Sequence, residues 1–278
     1  MPKCKITVLV ENTAGGRELL AEHGLSFWIE LPQGKVLFDA GQGFVLKHNA
    51  QRLGVRLESI ENIVLSHGHY DHTGGLSHVL TLGKRPRVFV HPQAFEAKYA
   101  RSADGVARNV GMSEVIKKDV RSMADLKWVE ASTEIGGGLW LTGPIPRTNS
   151  YEDVGGAFFK DENCRISDDL LDDQAAFLET KKGIVVILGC AHAGVINTLH
   201  FIQTITADRP IYAVLGGMHL LNASAQRIEE TIAELRRLDV KRLMPCHCTG
   251  FAAAARLWNE LPGRCEAIPV GSVISFED

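Results

Sequence analysis

No apolar run in these 278 residues approaches the ~20 residues that a membrane-spanning helix needs. Excess charge is also lacking. The formal net charge is −3 and the sequence pI about 6.4, so there is no basic field to draw nucleic acid. Cysteine is sparse and scattered, at Cys4, Cys164, Cys190, Cys246, Cys248 and Cys265. That is no disulfide framework, and it points to a reducing cytoplasm. The opening Met1-Pro2-Lys3-Cys4-Lys5 lacks the apolar core of a secretory signal. What remains is ordinary globular composition, 45% hydrophobic and 23% charged. The expectation is a single domain over residues 1–278, with a lid or insertion around 93–133. Its partner is a small molecule, with neither nucleic acid nor membrane.

What is present in abundance is histidine at one place. The stretch Ile63-Val64-Leu65 reads as a short buried strand, and Ser66-His67-Gly68-His69-Tyr70-Asp71-His72-Thr73-Gly74-Gly75-Leu76 follows it. Alternate side chains of an extended segment point the same way, so His67 and His69 converge on one metal ion. Asp71 and His72, past the turn, reach a second ion nearby. Imidazole and carboxylate suit zinc, iron or manganese. The expected cofactor is one or two divalent ions, zinc first. A pair of ions roughly 3.5–4 Å apart would share one hydroxide and hold both ends of a displacement.

Taken in order, Lys5–Val10 reads as a strand, and Thr13–Gly24 as a polar loop. Glu11 is either a support for the site or a solvated loop acid. Leu25–Leu31 and Lys35–Ala40 flank Pro32-Gln33-Gly34 as a hairpin. Phe44–Leu53 and Ala94–Arg101 have helical spacing, whereas Arg101–Ser113 shows no regular element. Arg101, Arg108, Lys117 and Lys118 are candidates to meet an anionic or phosphorylated substrate. His78 and His91 read as structural. Three further apolar strands end at histidine: Ile184–Leu188 before His192, Pro210–Leu215 before His219, and Arg242–Pro245 before His247. In layered α/β folds ligands bind where strand ends meet, so His67, His192, His219 and His247 point to one centre. Cys246-x-Cys248 is too tight for the usual two-residue gap between zinc cysteines and reads as flanking His247.

His67-x-His69-x-Asp71-His72 resembles the HxHxDH signature of the metallo-β-lactamase fold superfamily. The resemblance implies an α/β fold, a four-layer αβ/βα sandwich over essentially the whole chain. It implies that His192 joins His67 and His69 on one ion, and that His247 joins Asp71 and His72 on the other. Asp39, in Asp39-Ala40-Gly41, matches a supporting acid. The family's bridging Asp falls here at Gly189-Cys190, so Cys190, His192, Asp172 or Asp173 fills that place, or a single ion binds. Gly189-Cys190-Ala191-His192-Ala193-Gly194, Gly216-Gly217-Met218-His219-Leu220 and Pro245-Cys246-His247-Cys248-Thr249-Gly250 are together similar to one subgroup. Its members are described as 7,8-dihydropterin-6-methyl-4-(β-D-ribofuranosyl)aminobenzene-5′-phosphate synthase-like.

The function expected is a metal-dependent hydrolase that directs an activated water at an ester, phosphoester or lactone. In it Asp71 orients the water, and His219 stabilises charge or protonates the leaving group. The alternatives are a dihydropterin-joining transferase and a non-catalytic metal-binding module.

Overall fold

The computed structural model describes residues 4–82, 85–102 and 104–277. Met1-Pro2-Lys3 of the opening stretch, and residue 103 within 101–113, lie outside the described residues. The first half of the chain forms β1 (Cys4–Val10), β2 (Ser26–Leu31), β3 (Gly34–Phe38), α1 (Leu46–Arg52), β4 (Asn62–Val64), α2 (Tyr70–Thr73), α3 (Leu76–Leu80) and β5 (Arg87–Val90). It continues through β6 (Tyr99–Arg101), β7 (Ala107–Asn109), α4 (Glu114–Met123), β8 (Asp125–Trp128), β9 (Thr133–Gly136) and β10 (Leu139–Leu141). The second half supplies β11 (Phe158–Phe159), β12 (Ala176–Thr180), β13 (Gly183–Leu188), α5 (Val195–Ile205) and β14 (Ile211–Gly217). It ends with α6 (Ala225–Arg237), β15 (Arg242–Cys246), α7 (Phe251–Glu260) and β16 (Val273–Phe276).

These strands make two large sheets, ordered β16-β1-β2-β3-β4-β5-β8 and β15-β14-β13-β12-β10-β9. The alternation of β13 shows why they stack. Val185 and Ile187 lie in a core shared with Ile6, Phe27, Phe38 and Val64 of the other sheet. Ile184, Val186 and Leu188 face a second core with Leu199 of α5, Leu235 of α6 and Leu257 of α7. A third core packs Leu37, Ile63 and Val88 against Leu46 of α1, Val79 of α3 and Val120 of α4. Helices, sheet, sheet and helices therefore form the four-layer αβ/βα sandwich. The central strands β4 and β13 bury both faces, which explains their continuous apolar runs, whereas the edge strand β16 alternates exposed and buried residues. No helix among the described residues is long and apolar enough to cross a membrane.

The region 93–133 departs from expectation. Ala94–Arg101 is not a helix: a short 3-10 turn at Pro92–Phe95 leads to β6. Within 101–113 the stretch Ala107–Asn109 is a strand, β7, and β6 pairs with it and with β11 in a small separate sheet. The helical signal was local and weak, and β6 is instead fixed by pairing with Phe158 and Phe159 far along the chain. The rest of the region belongs to the sandwich. Helix α4 packs on the core through Ile116 and Val120, and β8 is an edge strand of the first large sheet.

Candidate metal centre

Strands β13, β14 and β15 run parallel and so end at one edge of their sheet, and the loops leaving them and β4 carry the histidines. His67 and His69 follow β4, His192 follows β13, His219 follows β14, and His247 follows β15. Several of these loops are strained. Asp39, Ala191, His219 and His247 adopt left-handed φ of 59°, 54°, 47° and 49°. Such positions cost about 1–3 kcal/mol each in non-glycine residues and gather at functional sites.

One set of ligand atoms comes from His67, His69 and His192, mutually within 4.8 Å. The hydrogen bonds fix which nitrogen His67 and His192 present. His192 Nδ1 lies 2.9 Å from the Val154 carbonyl, which can only accept, so Nδ1 carries the proton. Its Nε2 is then a lone pair, buried and without a hydrogen-bond partner among the described residues. Ser66 Oγ gives its one proton to Asp39 Oδ2 at 2.7 Å, so it accepts from His67 Nδ1 at 2.9 Å. His67 Nε2 is then a lone pair facing His69 Nδ1 at 2.9 Å. Burial pushes the His67 and His192 pKa well below the imidazole range and lowers that of His69 to about 3. Three neutral imidazoles turned inward are what a divalent ion requires.

The second set is Asp71, His72 and His247. His72 Nδ1 donates to Asp39 Oδ2 at 2.7 Å. His247 Nδ1 donates at 2.9 Å to Asn12 Oδ1, which also accepts from the Gly24 amide. The two remaining Nε2 atoms face each other at 3.3 Å, with Asp71 Oδ2 at 3.8 Å from one and 3.4 Å from the other. Two lone pairs so placed repel unless a cation stands between them. Without a metal a proton takes that role. Burial works against it, but the Asp39 and Asp71 carboxylates hold His72 up to about 9. For Asp71, burial is outweighed by His72, His23 and His247, and its pKa falls well below the carboxylate range. The donor sets therefore fit two divalent ions, with His67, His69 and His192 for one and Asp71, His72 and His247 for the other.

The supports are equally definite. Asp39 binds the Ser66 amide and hydroxyl and His72, so one carboxylate orients ligands of both sets, the usual outer arrangement of metal sites. Glu11 is buried and accepts from the His247 amide at 2.8 Å, which makes it a support and not a solvated acid. Asp172 accepts from the Gly68 amide and from Lys98. Asp173 accepts from the Ala193 amide, and burial raises its pKa to about 7. Among the described residues, neither Asp172 nor Asp173 falls in a group of ligand atoms close enough to share an ion. Cys190 does, with Sγ 3.2 Å from His72 Nε2. His219 lies with its ring 4.2 Å from that of His192, and its Nδ1 is buried without a partner among the described residues. Burial opposes its protonation, but Cys248 beside it raises its pKa. His91 receives the Gln93 amide and takes no part.

Sequence reasoning missed His23, whose Nε2 is 3.1 Å from Asp71 Oδ2. It sits in the loop before β2, and only the polarity of that loop hinted at a role. Also missed was the strap of residues 149–158. Glu152 there accepts from the Ile196 and Asn197 amides at the start of α5. Val154 holds His192, and Phe158 packs 5.1 Å from the His69 ring. Gly155, at φ +82°, lies so close to His219 that a Cβ would overlap its ring.

The centre opens on a cavity of about 1080 Å³ whose lining includes Glu11, His23, Asp71, His192 and His219. Leu221, Phe251, Ala254, Trp258 and Ile268 add apolar surface to the same lining. Of the four cations expected near substrate, Arg101 lines this cavity, but its guanidinium stacks on Phe159 and donates to the Cys164 carbonyl. Arg108, Lys117 and Lys118 are not in the cavity lining, and Arg108 pairs with Asp104 and Lys117 with Glu114.

Comparison with known proteins identifies the family of the fold. The sequence profile of the metallo-beta-lactamase superfamily matches residues 20–164. A Methanocaldococcus jannaschii protein named 7,8-dihydropterin-6-methyl-4-(beta-D-ribofuranosyl)-aminobenzene-5′-phosphate synthase is 31% identical, over 98% of this chain and 96% of its own. An uncharacterised protein of the same organism is 36% identical over 91% of this chain and 93% of its own. Among solved structures, Tm1679, a metal-dependent hydrolase of the beta-lactamase superfamily, is 33% identical with a TM-score of 0.83. That match covers 99% of this chain and 100% of the other.

Proposed function

The chain belongs to the metallo-beta-lactamase superfamily, and on that premise we propose that it is a metal-dependent hydrolase acting on an ester, phosphoester or lactone. The observation that carries this reading is the inward-facing Nε2 of His192, a buried lone pair whose tautomer is fixed by Val154 and which meets His67 and His69 at the cavity floor. Divalent ions there, zinc being the best match to imidazole and carboxylate donors, would lower the pKa of a water toward 7 and polarise the substrate.

The chain's own residues do the rest. Asp71, held ionised by its histidine neighbours, orients the attacking water, and His23 lies 3.1 Å from Oδ2, the carboxylate oxygen that also faces His72 and His247. His219, whose pKa is raised beside Cys248, holds a proton that it can deliver to the leaving group. The apolar wall of Leu221, Phe251 and Trp258 takes the substrate's non-reacting part. A panel of phosphoesters, carboxylic esters and lactones assayed with the zinc-loaded protein tests the reading. Turnover of one class, abolished in His69→Ala and lowered mainly in kcat by His219→Gln, is expected. No turnover of any class would overturn it.

A second reading has its own support. The 31% identical synthase runs the length of this chain, and the 1080 Å³ cavity has room for two reactants. In that case the same ions orient a pterin donor and an arylamine acceptor. Product formed only when both are supplied, with no hydrolysis of either alone, would favour it.

A further inference from the structure

Sulfur is the part of the centre that the histidine and aspartate sets leave unused. Cys246, Cys248 and Cys190 are all buried, but they do different things. Cys246 packs in the core between the two sheets. Cys190 leaves the end of β13 and places its Sγ 3.2 Å from His72 Nε2. Its sulfur stands within 4.8 Å of ligand atoms in three groups: His67 with His72, His192 with His219, and His247 with Cys248. No other side chain recurs so often among the groups found in the described residues. Cys248 comes from the 3-10 turn that also carries His247, and its thiol points back to the Cys190 carbonyl at 3.6 Å.

Neither Asp172 nor Asp173 belongs to a group of close ligand atoms among the described residues. Asp172 holds the Gly68 amide and Lys98, and Asp173 holds the Ala193 amide. We propose that the second ion is held in part by sulfur, with Cys190 as a thiolate ligand placed between the two histidine sets and Cys248 as a second thiolate closing on it beside His247. This rests on the reading of the centre as a metal site and adds to it a choice of metal. Thiolate ligands select zinc and disfavour magnesium and manganese, which prefer oxygen. The close Cys246-x-Cys248 spacing is no obstacle, since Cys248 pairs with Cys190 from another strand and not with Cys246.

The test uses the full-length protein stripped with chelator and reloaded with cobalt(II), reading bound cobalt per chain and the near-ultraviolet sulfur-to-cobalt charge-transfer absorption. The wild type should show that band. Cys190→Ser and Cys248→Ser should each lose part of it, and the double variant all of it while still binding cobalt through His67, His69 and His192. Cobalt bound without the band in the wild type would overturn the proposal while leaving the metal centre standing, and needs no variant to fold. A band unchanged in Cys248→Ser would also overturn the thiolate pair. If the wild type takes up no cobalt at all, the metal reading fails and the sulfur proposal with it.

Discussion

At the scale of single residues, the ligands of the first motif were legible because they are contiguous. Three histidines and an aspartate within six positions of the chain, His67 to His72, have little to do but bind. Their supports were legible only where a motif carried them, as with Asp39. His23, Asn12 and Val154 each reach a site residue from a loop by a single contact, and nothing in residue type marks such contacts. The Asp39 network makes a sharp prediction. Asp39→Asn turns an acceptor shared by Ser66 and His72 into a group with a competing N–H. Metal affinity should fall by about 10–100-fold, as for other outer partners of metal ligands. Competition with a chromophoric chelator measures this, and unchanged affinity would remove Asp39 from the centre.

At the scale of elements, the apolar strands ending in histidine were readable because both faces of each are buried, and the run simply stops at the ligand. Helix α4 was missed although its signals were there. Ser113 caps Ile116, Glu114 sits in the first turn, and Ile116 and Val120 recur at helical spacing. Lys117, Lys118 and Asp119 break up its apolar spacing. The strands β6 and β7 could not be read from local pattern, since β6 is defined by its partner β11. Two substitutions probe how elements hold the site. A Cβ at Gly68 would overlap the Ala94 carbonyl oxygen. Gly68→Ala should therefore destabilise the fold by about 1–3 kcal/mol, the usual range for overpacking, seen as a lower denaturant midpoint with unchanged slope. Gly155→Ala would instead drive the His219 ring from its place. It should lower kcat with little change in bound metal, whereas equal loss of both would make the strap merely structural.

At the scale of the whole molecule, the sandwich is two halves, each a sheet covered by helices, joined by the core that Phe27, Phe38, Val185 and Ile187 share. Both halves contribute ligands: His67, His69, Asp71 and His72 from one, His192 and His247 from the other. Metal should therefore tie the halves together. Ions bound to the native state alone, at a free concentration 100 times the dissociation constant, stabilise it by about 2.7 kcal/mol. Thermal unfolding should move upward on adding zinc and return with chelator. The most direct measurement is metal content per chain in protein purified without chelator, beside His69→Ala. The two donor sets predict two equivalents in the wild type and loss of the ion held by His67, His69 and His192 in the variant. A protein that carries no metal, and takes up none when zinc is added, would contradict the account.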